Sequence, residues 1–142
     1  MKADPIDELG RIVPPPAPQV ENDPSASEAQ IQFRAAVALY QAKKYRYAAA
    51  AFEEVVHLDR HRLDARFFNA VSLLCIHQPK AALPSLKEVI AKRNSGYVEP
   101  ARLLLAYAYI QKKDFRAARQ ALKQLDTPES SRLMNELDRL GV

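Results

Sequence analysis

Apolar residues recur along this chain at alternating spacings of three and four, the period of a helix buried along one side. Tyr45, Ala48, Phe52 and Val55 are followed by Pro79, Ala82, Leu86 and Val89, then by Phe115, Ala118, Leu122 and Leu125, with the same internal spacing each time. A second pair precedes each set at a constant distance: Ala36 with Leu39, Ala70 with Leu73, Ala106 with Tyr109. The copies are offset by 34 and then 36 residues, which marks an internal repeat.

Each copy predicts two amphipathic helices whose small Ala positions let them approach closely. Helix hairpins are expected at about 28–60, 63–92 and 99–125. Lys43 and Lys44, and later Lys112, Lys113 and Asp114, fall at the joins, while Asn94, Ser95 and Gly96 supply the turn that absorbs the two extra residues. Thr127 and Pro128 suit an N-cap and a first helical position, so 128–140 reads as a closing helix ended by Gly141. Pro84 lies inside the second helix of the second copy and should kink it. The expected fold class is all-α.

Six of the ten prolines fall within residues 1–24, and 14–18 is nearly all proline, so a flexible extended tail is expected ahead of a helical domain at 25–142. Ile6, Leu9, Ile12 and Val13 have the spacing of one short amphipathic turn. Charge follows the same division. Residues 1–28 hold two basic and six acidic residues, net −4, and the rest hold 19 basic and 11 acidic, net +8.

Three Gly and no Trp disfavour a turn-rich β architecture. No stretch approaches the length of a membrane span, and the first residues do not pattern as a secretory signal, so a soluble cytoplasmic protein is expected, without membrane insertion. The single Cys75 sits in an apolar run and reads as a small core residue. His57 and His61 are one helical turn apart, but Leu58 and Asp59 end a helix between them, so solvated side chains are expected rather than metal ligands. No phosphate loop, nucleophile elbow, metalloprotease helix or dinucleotide fingerprint occurs, and neither catalysis nor a cofactor is expected.

The first helix of each hairpin carries a second apolar row: Phe33, Val37 and Tyr40; Phe67, Val71 and Leu74; Leu103, Tyr107 and Ile110, widened by Phe68 and Leu104. A helix apolar over most of its circumference should be covered over most of it. The candidate covers are a hydrophobic protein segment, extended or helical, the chain's own tail, and a second copy of the chain. An external segment is the expected one, because four apolar residues in the tail are too few for three rows. On the basic side, Arg116, Arg119 and Lys123 share a helical face and could meet an acidic surface, with nucleic acid ranked last for want of interleaved aromatics.

Residues 29–59 resemble a tetratricopeptide repeat through Leu39, Tyr45, Ala48, Phe52, Val55, Leu58 and Asp59. The third copy is similar through Leu105, Ala106, Tyr109, Asp114, Phe115, Ala118 and Leu122. The chain departs from that pattern at Ala36, Ala70 and Ala106, where Gly is usual, at Arg60 in place of Pro, and at Asn69 in place of an apolar residue. The resemblance implies a right-handed superhelix whose first helices line one concave groove, and a protein-interaction module as the function. It does not imply the carboxylate clamp of chaperone-tail receptors, since the matching places hold Phe33, Val37, Phe68, Pro100 and Leu104. Residues 58–68, 99–100 and 111–112 further resemble three-repeat chaperones of type III secretion translocators, which hold a hydrophobic partner segment in an apolar groove.

Overall fold

The computed structural model describes residues 4–142 except Asn94. Among the described residues there are eight helices and no strand: α1 (Pro5–Leu9), α2 (Glu28–Gln41), α3 (Tyr45–Leu58), α4 (Leu63–Cys75), α5 (Pro79–Ala91), α6 (Val98–Gln111), α7 (Phe115–Lys123) and α8 (Pro128–Leu140). Helices α2 to α7 form three hairpins in which each helix packs on the next, and α8 closes the stack against α7.

Local chemistry sets the ends. Ser27 and Gln30 form a reciprocal capping box at the start of α2, as Thr127 and Ser130 do at α8, and the Asp114 carboxylate accepts from the Ala117 amide at 3.2 Å. Pro5, Pro79 and Pro128 each begin a helix, where the missing amide costs nothing. Pro84 does not interrupt α5, which runs through it.

The three hairpin turns share one device. Lys43, His77 and Lys113 adopt left-handed backbone, with φ of 60°, 61° and 62°, at the same place in each repeat. The next amide, of Lys44, Gln78 and Asp114, donates five residues back to Leu39, Leu73 and Tyr109 at 2.9, 2.8 and 2.9 Å, which closes the carbonyls left open at the helix end. A side chain with a Cβ is strained there by about 1–2 kcal/mol, and Gly would forfeit about 0.5–1 kcal/mol through its freer unfolded state. Lys113→Gly is therefore expected to stabilise the protein by about 0.5–1 kcal/mol, read as a rise in the urea midpoint with an unchanged slope.

Alanines carry the close packing. Ala36, Ala70 and Ala106 on the first helices and Ala48, Ala82 and Ala118 on the second are all 0% exposed. Phe52, Leu86 and Leu122 fill the equivalent space in successive hairpins. Asn69, at a place where the repeat pattern calls for an apolar side chain, is buried but satisfied. Its amide donates to the Ala49 carbonyl at 2.8 Å and its oxygen accepts from Ser85 Oγ at 3.0 Å, so it fastens α4 to both α3 and α5.

Residues 10–24 lack regular secondary structure, as their prolines dictate, but they do not stand apart from the repeats. Helix α1 rests on α6 and α8, Leu9 is buried, and Ile12 and Ala17 pack against the core. The short amphipathic turn forms over Pro5–Leu9, and Asp4 caps it by accepting from the Ile6 amide at 2.8 Å. No described helix is long and apolar enough to cross a membrane.

Candidate functional site

The second apolar rows of α2 and α4 share one core cluster with Leu104, while Leu103, Tyr107 and Ile110 of α6 belong to a second. Phe33, Val37 and Tyr40, Phe67, Phe68, Val71 and Leu74, and Leu104, Tyr107 and Ile110 are all buried, while Leu103 is half-buried. Two things bury them.

The first is aromatic packing within and between the hairpins. Phe33 stands edge-on to Phe52 at 5.8 Å, and Tyr40 stands edge-on to Phe68 at 5.2 Å and to Tyr45 at 5.7 Å. Tyr97, in the turn ahead of α6, leans over Phe67 at 4.9 Å. The Arg62 guanidinium lies 4.3 Å above the outer face of the Phe33 ring and is paired with Asp64 at 2.9 Å. Tyr97 and Arg62 were not among the residues singled out from the repeat pattern, because both precede their helices and fall outside its period.

The second is the chain's own N-terminal segment, a strap running across the face. Leu9 enters a cluster with Tyr107, Ile110, Leu133 and Leu137. Ile12 packs against both core clusters, and Ala17 against the cluster of the first two hairpins. The Tyr40 hydroxyl donates to the Pro15 carbonyl, and Gln111 Nε2 donates to the carbonyls of Gly10 at 2.8 Å and Leu74 at 3.1 Å. At the far end Arg34 donates to the Asn22 side chain at 2.9 Å. The expectation that the tail is too poor in apolar residues to cover the rows is thus corrected. Hairpin aromatics close part of the face, and Leu9, Ile12 and Ala17 pack against what remains.

The strap has few apolar anchors. Leu9 contributes roughly 1.5–3 kcal/mol of burial and the half-buried Ile12 and Ala17 less. Val13 is 91% exposed, and between the strap and α4, α6 and Tyr45 lies a cavity of about 580 Å³ lined by Arg11, Ile12, Pro14, Leu74, Cys75 and His77.

Titration follows burial. Cys75 is half-buried, packed against the core and lining this cavity, and burial pushes its thiol up to about 11, which leaves it a poor nucleophile. Burial also raises the Tyr40 phenol. Tyr107 is pushed up to about 12, by burial first and then by Glu129, which accepts from its hydroxyl at 2.5 Å. Arg132, bound to Glu129 at 2.6 Å, and Tyr107 together hold that carboxyl below its usual value. The Tyr107 hydroxyl is therefore committed to α8, and only its ring serves the face.

Elsewhere the chemistry is sparse. Among the described residues no group of His, Cys, Asp and Glu is placed to hold a metal ion, and His57 and His61 are exposed. Of the basic stripe, Arg116 and Lys123 are exposed on α7, but Arg119 turns to α8, donating to the Val142 backbone oxygen and pairing with Asp138 at 2.8 Å. Among the described residues, Arg116 and Lys123 have no ion-pair partner, whereas Arg119 has one.

Residues 77–130 match the family model described as Tetratricopeptide repeat, a span that takes in α5, α6, α7 and the start of α8. No curated protein and no solved structure matches the chain.

Proposed function

We propose, for a chain that carries tetratricopeptide repeats and so the architecture of a protein-interaction module, that its face lined by α2, α4 and α6 seats a hydrophobic segment of a partner protein. The observation that carries this reading is the strap. An extended stretch of polypeptide already lies along that face, its anchors set in apolar seats and its backbone carbonyls met by Tyr40 and Gln111. Donors that read main-chain carbonyls accept many sequences, and apolar seats select among them. The module acts as a chaperone if the segment aggregates when free, and as an adaptor if it belongs to an independently soluble protein. The likeness to translocator chaperones favours the first.

The competing basic-surface reading is weakened by Arg119, whose charge is shared with Asp138. Full-length tagged protein separates the two in pull-downs at 0.1 and 0.5 M salt. Groove binding expects capture of a partner that survives high salt and is lost in Leu103→Asp, a half-buried position on the face. Capture that collapses with salt and with Arg116→Glu and Lys123→Glu, while ignoring Leu103→Asp, would establish the charged surface instead.

A further inference from the structure

We infer that residues 9–17 are a built-in stand-in for the partner, so that a partner segment seats on the face of α2, α4 and α6 only by displacing this strap. The inference rests on the reading of that face as a peptide seat and adds how access to it is controlled.

The strap contacts the repeats as a bound peptide does. Its anchors Leu9, Ile12 and Ala17 run from the α6 and α8 end toward the first two hairpins, and the groove meets its main chain at Gly10 and Pro15. Its fit is incomplete in two places. An open cleft lies beside Ile12 and Pro14, and among the described residues no group donates to the buried Gln111 Oε1. The strap does not supply that donor: the amides of Gly10, which Gln111 meets, and of Arg11 are already given to the Ile6 and Glu8 carbonyls, at 3.0 and 3.1 Å. A segment with a larger side chain in the cavity and an N–H aimed at Gln111 Oε1 gains contacts that the strap lacks.

The hold is also of a kind that can be released. The strap carries a single charged residue, Arg11, of the same sign as the net charge of the repeats, and no ion pair joins the two among the described residues. Closure depends on tethering, which supplies a high local concentration to a weak ligand. Prolines keep the strap extended when it lifts, so it re-seats without refolding. Because its occupancy subtracts from the open population, it lowers the apparent affinity for any external segment by the same factor.

Cys75 reports the opening, since its thiol lines the cavity under Arg11, Ile12 and Pro14. The experiment uses the full chain, the double variant Leu9→Asp with Ile12→Asp, and a fluorescent peptide of this chain's residues 4–19 added in trans. In the double variant, with helicity retained, iodoacetamide should alkylate Cys75 about tenfold faster than in the unaltered chain and the peptide should bind about tenfold more tightly. Saturating peptide should slow alkylation again. Gly10→Val is the milder companion: a Cβ at Gly10 would come 3.0 Å from Gln111 Cγ, so it crowds the contact between Gly10 and Gln111 without introducing charge.

Equal, tight peptide binding to all three proteins would leave the peptide seat standing and overturn the competition. Faster alkylation without peptide binding would overturn the seat itself, and with it the inference. Loss of helicity in both variants would make the strap part of the fold and not a ligand, which also overturns it.

Discussion

Val71→Asp is expected to lower the melting temperature of this protein by roughly 10–20 °C, read by circular dichroism at 222 nm. Val71 is 0% exposed at the middle of α4, the helix packed between the first and third hairpins, and its neighbours are apolar. An isolated carboxylate there has no cation to meet it, so it costs on the order of 3–5 kcal/mol whether it stays charged or takes up a proton. That is a large share of the roughly 5–15 kcal/mol that stabilises a domain. A melting temperature unchanged within 2 °C would mean that Val71 meets water whenever the strap lifts, and would place it on the binding surface and not in the core. The position therefore discriminates between the two roles that an apolar row on a first helix can have.

Phe68→Ala is expected to cost about 3–5 kcal/mol and to disturb the first two repeats together. The ring sits among Tyr40 at 5.2 Å, Phe52 at 5.9 Å, Phe67 at 5.1 Å and Tyr97 at 6.4 Å. It thus joins α2, α3 and α4 to the turn ahead of α6. Truncation opens a space lined by four rings whose own helices hold them apart, so collapse recovers little of the lost contact. Urea unfolding followed by tyrosine fluorescence should show a lower midpoint, and amide exchange should quicken in α2 and α4 before α7. A loss below 1 kcal/mol would show that the cluster is loose enough to re-pack. Tyr40→Phe, which removes only the hydroxyl that holds Pro15, should stay within about 1 kcal/mol of the unaltered protein.

On the proposed reading, the face divides its residues between two jobs. Its floor is the aromatic core that holds successive hairpins together, and its rim, with Leu103, Tyr45, Cys75 and Gln111 half-buried, is where a segment of chain can lie. Partner selection by such a face should depend on the rim. Substitutions in the floor report stability first and binding second.

The sequence by itself determined the helices, their pairing and their closure. Those follow from the 3-4-3 spacing, the constant offset from Ala36 to Ala48 and its copies, and caps such as Ser27 and Thr127, all of which act within a turn or two of chain. It also exposed the apolar rows of α2, α4 and α6, since a helix apolar nearly all round is visible in its composition alone. Only the tertiary structure decided what covers them. The burial of Phe33 by Arg62, of Phe67 by Tyr97 and of Tyr40 by the strap each joins residues that no local period relates. Gln111 and Gly10, which meet at 2.8 Å, are 101 residues apart. Asn69 and Arg119 taught the same lesson in polar form. One looked like a flaw in the repeat and is a three-helix clasp, the other looked like a free cation and is bound to α8, because a polar group's role is set by the partner that folding brings to it.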